Sequence, residues 1–355
     1  MGAPRMLDPD LKIALFAEAT LGLLNAKMTE GVIRYGANPV VAVIDSRAAG
    51  RSAGEFFGVG HDIPVVATLD DAIARGAQVL VLGTAPSGGR LPPDWHAMLD
   101  RAVTGGLSIV NGLHDALAPV FAGRLAPGQW VWDIRTPQGD LPAIATARAA
   151  DLGNARVLMV GTDMAIGKMT AGLELWRSLR DCGADAVFLA TGQIGVTITG
   201  DGIPLDAFRV DHASGAVERM VMATGQHAIQ IVEGQGSLLH PGSTATLPLL
   251  RGSCANQMIL CHRAGMVHLD TMEHIRVPPL ADVIALYEAL AGAAGALPAA
   301  RVTGIALNTR ALDADAADRA IAEAAAATGL PVTDPVRHGA GLLADAVLAA
   351  APASG

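Results

Sequence analysis

The chain of 355 residues is poor in cysteine, aromatic residues and charged residues, and each shortage argues against a class of protein. Its three cysteines are odd in number and lack a C-x-x-C spacing, which argues against a disulfide framework and indicates thiols in a reducing compartment. Aromatic residues make up 3% and charged residues 17%, with a net charge of −9 and no cluster of Lys and Arg. Nucleic acid is therefore not an expected partner.

Three further absences narrow the possibilities. The N-terminal segment carries Asp8 and Lys12 and no signal-peptide core, so a cytoplasmic protein is expected. The apolar stretch 281–300 contains Asp282 and Glu288, which favours a packed helix over a membrane span. No G-x-G-x-x-G follows the first predicted strand, so the sequence gives little support for dinucleotide binding.

One group of possible metal ligands occurs late in the chain, at Cys261, His262, His268 and His274. Their spacing matches none of the common zinc patterns, in which pairs of ligands are separated by a few residues. We therefore expect no metal site.

Short apolar runs alternate with helical segments, which is typical of parallel sheets covered by helices. The pattern predicts an α/β protein with a Rossmann-like parallel-sheet domain over 1–150 and a P-loop NTPase-like α/β domain over 151–355. In the first domain, the predicted strands are 12–17, 40–44, 64–67, 79–82 and 107–110, and the predicted helices are 26–35, 69–75 and 95–103. In the second domain, the predicted strands are 157–160, 186–190, 229–232, 266–269, 302–307 and 330–332, with a helix over 313–328.

The most informative segment is 157–170, which reads VLMVGTDMAIGKMT. An apolar strand runs into a loop bounded by Gly161 and Gly167, and Lys168 and Thr170 open a helix. Loop N–H groups and a helix N-terminus attract anions, and the lysine adds a full charge. The order of strand, loop, lysine and helix predicts a phosphate-binding loop rather than a glycine-containing turn without a ligand.

This loop departs from the usual G-x-x-x-x-G-K-[ST] pattern. Five residues separate Gly161 from Gly167, and Met169 stands where a hydroxyl normally ligates Mg²⁺. A thioether is a poor ligand for Mg²⁺, which prefers oxygen. The sequence therefore predicts a loop that holds phosphates without the usual Mg²⁺ ligand.

A carboxylate follows a second buried strand. Residues 227–232 read HAIQIV and precede Glu233 and the glycine-rich segment 234–237. An acid at the carboxyl end of a strand beside the P-loop strand would lie close to bound phosphates. Taken alone, Glu233 could equally be an acid in a glycine-rich turn, but beside the loop it indicates a functional carboxylate.

These motifs resemble two groups of proteins. The second half resembles the P-loop group that includes dethiobiotin synthetase, and the match rests on 161–163, Gly167 and Lys168, 232–234 and 304–308. The whole chain, over residues 10–350, is identified as a member of a bacterial and archaeal family that joins a Rossmann-like half to such a P-loop half and includes D-glutamate N-acetyltransferases. The markers of that family are the loop 161–170 and the segments EGQGSL (233–238) and IVNGLH (109–114).

The resemblance implies transfer of an acetyl group from acetyl-CoA to the amine of a D-amino acid, with D-glutamate as the expected acceptor. Such a reaction needs a base for the substrate ammonium, donors for the thioester oxyanion and cations for the substrate carboxylates. Glu233 is the first candidate base and Asp163 the second, with the N–H groups of 234–237 as oxyanion donors.

Two sets of residues are assigned to binding. Coenzyme A is assigned to Gly161, Thr162, Gly167, Lys168, Met169, Thr170 and Asn308. The substrate is assigned to Lys27, Arg90, Gln193, His240, Arg251 and Arg263, although each arginine could instead form a solvated surface pair.

Two other activities remain open from the sequence. One is an ATP-dependent ligase or kinase that acts on a carboxylate with ATP and Mg²⁺, which Asp163 and Asn308 favour and Met169 opposes. The other is a non-catalytic nucleotide-binding regulator. Free thiol from acetyl-CoA, phosphate release from ATP, or tight ATP binding without turnover would distinguish the three. A homodimer or a larger homo-oligomer is the expected assembly.

Overall fold

The computed structural model describes residues 7–84, 86–137 and 139–352, without the side chains of Leu24 and Ser87. Two compact units divide this chain. The first holds the residues up to 137 together with 193–207, and the second holds 139–192 and 208–352.

The first unit is a parallel sheet with the strand order β3-β2-β1-β4-β5-β6. Its strands are β1 (Ile13–Phe16), β2 (Val40–Ile44), β3 (Val65–Val66), β4 (Val79–Leu82), β5 (Ser108–Asn111) and β6 (Val131–Asp133). Its helices are α1 (Lys27–Tyr35), α2 (Gly54–Phe57), α3 (Leu69–Ala74), α4 (His96–Thr104) and α5 (Ala118–Phe121), with short 3-10 turns at Leu24–Ala26, Ser87–Gly89 and Pro93–Trp95.

Local chemistry explains these elements. β1 and β4 consist of apolar residues that are buried throughout, as expected for central strands covered on both faces. α3 begins at a capping box, in which Thr68 accepts from the N–H of Asp71 and the Asp71 carboxylate accepts from the N–H of Thr68. The rings of Phe16 and Trp95 meet edge to face at 4.8 Å in the core of this unit.

The second unit is also a parallel sheet, with the order β14-β13-β10-β7-β9-β8. Its strands are β7 (Ala155–Gly161), β8 (Ala186–Leu189), β9 (Ile229–Val232), β10 (Gln257–Arg263), β13 (Arg301–Asn308) and β14 (Val332–Thr333). A separate antiparallel pair is formed by β11 (His268–Leu269) and β12 (Met272–Arg276). The helices are α6 (Lys168–Asp181), α8 (Val210–Ala223), α9 (Thr246–Ser253), α10 (Leu280–Gly292), α11 (Ala314–Thr328) and α12 (Gly341–Ala349), with 3-10 turns at Arg148–Asp151 and Ala293–Gly295.

The division by contacts differs from the boundary drawn at 150/151 from the sequence. Residues that precede this boundary pack within the second unit, because the Glu218 carboxylate accepts from the N–H groups of Thr146 and Arg148. In addition, helix α7 (Gln193–Thr199) and the 3-10 turn Leu205–Ala207 belong to the first unit, where α7 packs on α1. The sequence shows no break in composition at either end of this segment.

One predicted strand of the second unit is wrong. Residues 266–269 do not enter the parallel sheet, since His268 and Leu269 form β11 of the antiparallel pair. The strand that lies between β7 and β13 is β10, which the sequence analysis missed. β10 ends in the polar residues His262 and Arg263, so its sequence does not match the apolar run expected of a buried strand.

Candidate active site in the P-loop unit

The P-loop connects the central strand β7 to helix α6. Gly167 forms the N-cap of α6 at φ 110°, a left-handed conformation that side chains rarely adopt, and Lys168 is the first helical residue. Neither Gly167 nor the preceding Ile166 offers a polar side chain to cap the first turn. The N-terminus of this 14-residue helix is therefore available to an anion.

Lys168 places its ammonium inside the loop. The residue is 6% exposed, and Nζ donates a 2.6 Å hydrogen bond to the carbonyl oxygen of Asp163. Burial lowers the pKa of Lys168 to about 8, against the opposing influence of Cys261, Asp163 and Glu233. The amine is thus mainly protonated at neutral pH and has further N–H donors for a ligand.

Glu233 lies at the carboxyl end of β9, which is the neighbour of β7 in the sheet. Its side chain is 3% exposed, and one carboxylate oxygen accepts from the N–H groups of Thr191 and Gly192 at 2.7 and 3.1 Å. Burial raises the pKa of Glu233 to about 7, although these two hydrogen bonds and the charge of Lys168 oppose the shift. A carboxyl group with this pKa can take up or release a proton near neutral pH.

Gly234 allows β9 to approach the P-loop strand closely. A Cβ atom at this position would lie 1.7 Å from the carbonyl oxygen of Met159 and 3.0 Å from Cδ of Lys168. Only glycine fits between β7 and the chain that follows Glu233. The glycine after the acid is therefore required by packing as well as favourable for a ligand.

Asp163 and Asn308 brace the loop. The two carboxylate oxygens of Asp163 accept from the N–H groups of Met164 and Asp270, at 2.7 and 2.8 Å. Asn308 donates from Nδ2 to the carbonyl oxygen of Ile166 at 3.1 Å. Both oxygens of Asp163 accept from backbone N–H groups, whereas Oε1 of Glu233 accepts only from the side-chain amide of Gln235, at 3.3 Å. Glu233, whose pKa burial raises to about 7, is therefore the better candidate for the base.

A histidine and a tyrosine also hold the loop, and the sequence analysis assigned neither of them to it. Nδ1 of His262 lies 2.9 Å from the hydroxyl of Thr162, and burial lowers the pKa of His262 to about 4, so this imidazole is neutral at pH 7. The Tyr287 hydroxyl donates to the carbonyl oxygen of Gly161 and accepts from the N–H of Leu238. The only local signal for Tyr287 was its identity, as one of two tyrosines in the chain.

We expect Tyr287→Phe to destabilise the protein by about 1–3 kcal/mol, because the buried carbonyl of Gly161 and the half-buried N–H of Leu238 both lose the partner that the hydroxyl provides. Equilibrium denaturation by urea measures this change. A free energy of unfolding equal to that of the wild type would show that water or a local shift replaces the hydroxyl.

The four residues considered above as possible metal ligands have separate environments. Cys261 is buried beside Lys168, and burial raises the pKa of this thiol to about 12. His262 binds Thr162, while His268 and His274 are exposed on the antiparallel pair. Throughout the described ranges, no three side chains of His, Cys, Asp and Glu are grouped so as to hold a metal ion.

Four of the residues assigned to the substrate, Arg90, Arg263, Arg251 and His240, lie in different surroundings. Arg90 forms an ion pair with Asp115 at 2.9 Å on the surface of the first unit. Arg263 is held by the Asp270 carboxylate at 2.9 and 3.3 Å, which raises the pKa of Arg263. Arg251 is half-buried in the last turn of α9.

His240 is the most informative of the four. It is 5% exposed, and its Nδ1 accepts from the N–H of Gly242 at 3.1 Å. That bond assigns the ring proton to Nε2. This Nε2 has no hydrogen-bond partner among the residues that the structure describes, so a buried donor remains available in the loop that follows Glu233.

The remaining two predicted contacts, Lys27 and Gln193, both line one cavity of the first unit. Their shared location was not predicted, because they are far apart in the sequence and Gln193 follows the second predicted P-loop strand.

No helix in the described part of the chain combines the length and the apolar character needed to cross a bilayer.

The fold and the loop define a class of protein, in which a Rossmann-like unit is joined to a P-loop unit. A family model described as a Rossmann-like domain of unknown function, DUF1611_N, matches residues 46–137. A second, described as the P-loop domain of unknown function DUF1611_C, matches residues 143–344. The chain belongs to the DUF1611 family, and the predictions of fold class and family are confirmed.

Relatives with names and structures agree with this assignment. A protein of Tritonibacter scottomollicae named D-glutamate N-acetyltransferase is 35% identical over 286 residues, which cover 79% of this chain and 84% of that protein. A protein of the same name from a Pseudoalteromonas species is 34% identical over 274 residues, which cover 76% and 81%. The crystal structure of a DUF1611 family protein from Anabaena variabilis is 48% identical, with a TM-score of 0.92 over 96% of this chain and 100% of that one.

Proposed function

We propose that this protein transfers the acetyl group of acetyl-CoA to the amine of an acidic D-amino acid, with D-glutamate as the expected acceptor. The observation that carries the proposal is the pair formed by Lys168 in the P-loop and Glu233 beside it. Both are buried, and burial moves the pKa of the carboxyl group to about 7, which suits a base. The names of the two relatives supply the transferred acetyl group and the acceptor, and acetyl-CoA as the donor is our own inference.

The P-loop is the proposed site for phosphates of coenzyme A. The N-terminus of α6 and the ammonium of Lys168 offer a positive charge and N–H donors to a phosphate. No further side chain is needed for this role, since coenzyme A does not have to be cleaved at a phosphate. The hydroxyl of Thr170, in the first turn of α6, is half-buried and adds another possible donor.

The proposed reaction begins when Glu233 removes one proton from the ammonium of the acceptor. The free amine then attacks the thioester carbonyl, which forms the C–N bond, and collapse of the tetrahedral adduct breaks the C–S bond. The nitrogen loses a second proton and the coenzyme A thiolate gains one, so the products are an amide, a free thiol and one released proton. These steps balance without ATP or a redox partner.

The oxyanion of the adduct needs donors. Of the predicted segment 234–237, the N–H of Ser237 is already bound to the Ser243 hydroxyl. We assign the role to the N–H groups of Gly234 and Gly236 and to Nε2–H of His240, the buried donor that the loop leaves unpaired.

A thiol-release screen tests the proposal. Purified protein with acetyl-CoA is offered D-glutamate, L-glutamate, D-aspartate and D-glutamine, and free thiol is measured by a colorimetric reagent. We expect thiol to appear with D-glutamate and far more slowly with its L-enantiomer. Thiol release that is independent of any amino acid would indicate hydrolysis, and phosphate release from ATP with a carboxylic acid would indicate the ligase.

We expect the activity to persist in excess EDTA. Met169 occupies the position of the usual Mg²⁺-ligating hydroxyl, and the carboxylates of Asp163 and Glu233 already accept hydrogen bonds from backbone N–H groups. The measurement compares the initial rate with EDTA, and with EDTA followed by excess Mg²⁺. A rate that falls with EDTA and recovers with Mg²⁺ would contradict this interpretation of Met169.

A further inference from the structure

The first unit contains a cavity at the point where its sheet changes direction. The order β3-β2-β1-β4-β5-β6 runs one way from β1 to β3 and the other way from β4 to β6. In such sheets, the crevice between the two central strands, at their carboxyl ends, is the usual place for a ligand. A cavity of about 280 Å³ lies there, lined by residues that follow β1, β4 and β5 and by α7.

Thr84 gives the cavity an unsatisfied polar group. This residue follows β4, lines the cavity and is 2% exposed. Its hydroxyl has no hydrogen-bond partner in the parts of the chain that the structure describes. A buried hydroxyl without a partner costs free energy, and the usual reason to retain one is a water molecule or a ligand.

The charge around the cavity is positive. Lys27 lines it and is also the first residue of α1, so the ammonium and the positive end of a nine-residue helix lie on the same side. Ala26 at the N-cap has no polar side chain, and in the first turn the N–H of Thr29 is already bound to the carbonyl oxygen of Gly83, so the helix end would be offered to a ligand through the N–H groups of Lys27 and Met28. The nearby acid Glu30 is held by Arg34 at 3.2 Å. Among the described residues, the nine that line the cavity include one cation and no acid.

Gln193 adds an amide to this set. A Cβ atom on Gly112 would lie 3.4 Å from both Cγ of Gln193 and Sδ of Met28, so glycine lets α7 and α1 approach the end of β5. A primary amide can donate to a carboxylate oxygen or accept from an ammonium. The lining therefore offers an ammonium, a hydroxyl, an amide and a helix N-terminus to one ligand.

We propose that this cavity binds a carboxylate of a small metabolite. Its volume of about 280 Å³ lies just below the range for drug-sized ligands, so it suits a molecule the size of an amino acid. A dinucleotide is a poor fit, because β1 is not followed by the G-x-G-x-x-G loop that such ligands need. The carboxylate has two sources to distinguish, namely an amino acid such as D-glutamate and a dicarboxylate without an amine.

Calorimetric titration of the full-length protein with D-glutamate and with glutarate tests the site. Lys27 is exposed, so Lys27→Gln should fold normally, and we expect it to weaken carboxylate binding by about 10- to 100-fold through loss of a charge-assisted contact. Thr84→Val should weaken binding by about 3- to 10-fold. Lys12→Gln, an exposed lysine of the same unit, is the matched control and should bind like the wild type.

The source of the carboxylate is decided by two further readouts. If an amino acid occupies the cavity, Lys27→Gln weakens the binding of D-glutamate and leaves the affinity for acetyl-CoA unchanged. If a separate dicarboxylate occupies it, Lys27→Gln weakens glutarate binding alone. Either ligand should slow amide hydrogen exchange in the first turn of α1. Wild-type affinity for both ligands in the Lys27 and Thr84 variants would overturn the proposal, whatever becomes of the acetyl-transfer activity.

Discussion

Glu233→Gln should lower kcat by at least about 100-fold while leaving the affinity for acetyl-CoA close to that of the wild type. Glutamine keeps the shape of the side chain and can still accept from the N–H groups of Thr191 and Gly192. It cannot take a proton from the substrate ammonium. Steady-state kinetics gives kcat, and calorimetric titration gives the affinity.

The dependence of kcat on pH distinguishes a catalytic base from a residue that only supports the P-loop. Since Glu233 must be ionised to act and burial raises its pKa to about 7, wild-type kcat should fall about tenfold per unit below that pH and level off above it. The variant should lack this limb, and its deficit should shrink at high pH, where the amine is already free. A loss of kcat in Glu233→Gln that stays constant up to about pH 10 would contradict the base role and indicate that Glu233 is structural.

The protonation of Glu233 should also make the free energy of unfolding depend on pH, in a direction that its raised pKa determines. Glu233 has a folded-state pKa above its ordinary value of 4.5, so the native state holds this proton more tightly than the unfolded chain does. The resulting stabilisation is present below pH 4.5 and is lost as the pH rises through about 7. Glu233→Gln should remove this decline from the free energy of unfolding.

Glu218→Gln is the matched control. Glu218 is 2% exposed and, like Glu233, accepts from two backbone N–H groups within the same unit. The charge of Glu218 contributes to the raised pKa of Cys254, whose carbonyl oxygen accepts a hydrogen bond from Arg156 near the start of β7. Glu218 therefore lies towards the opposite end of β7 from the P-loop, which follows the end of that strand. We expect this variant to lose stability but to keep the wild-type dependence of kcat on pH.

Lys168→Met should weaken acetyl-CoA binding by about 1.5–3 kcal/mol, roughly 10- to 100-fold, because it removes a charge-assisted contact to a phosphate. Methionine nearly matches the lysine stem in length and avoids an open cavity. Lys12→Met, an exposed lysine of the first unit, is the control and should bind acetyl-CoA normally.

The stability of the Lys168→Met variant distinguishes ligand binding from scaffolding. Burial lowers the pKa of Lys168 to about 8, so removal of a charge that is disfavoured in the folded protein offsets the loss of the hydrogen bond from Nζ to the carbonyl oxygen of Asp163. We expect an unfolding midpoint equal to or above that of the wild type in the absence of ligand. Unchanged acetyl-CoA affinity, or loss of folding, would contradict the proposed role.

The local part of this site could be predicted from the sequence. Strand, loop, lysine and helix follow one another over 157–170, and the acid at 233 ends an apolar run. The partners that hold these groups could not be predicted, because each comes from a distant segment. Tyr287 lies 126 residues from Gly161, Asp270 lies 107 from Asp163, and Thr191 lies 42 from Glu233.

The cavity of the first unit could not be predicted for the same reason, since distant segments of the chain form it. Lys27 could be linked to an anion because it opens a helix after the first strand. Gln193 could not be placed beside it, since the chain returns to the first unit after β8 and leaves it again before α8. Apolar periodicity reports which residues are buried, but it does not report which unit buries them.

The central claim is that the P-loop of this protein serves acetyl transfer without nucleotide hydrolysis. Mass spectrometry of a reaction with acetyl-CoA and D-glutamate, in excess EDTA and without ATP, tests it most directly. We expect N-acetyl-D-glutamate and free coenzyme A in a one-to-one ratio, at a rate that Glu233→Gln reduces by at least about 100-fold. No amide product under these conditions, together with Mg²⁺-dependent phosphate release once ATP is added, would contradict the claim.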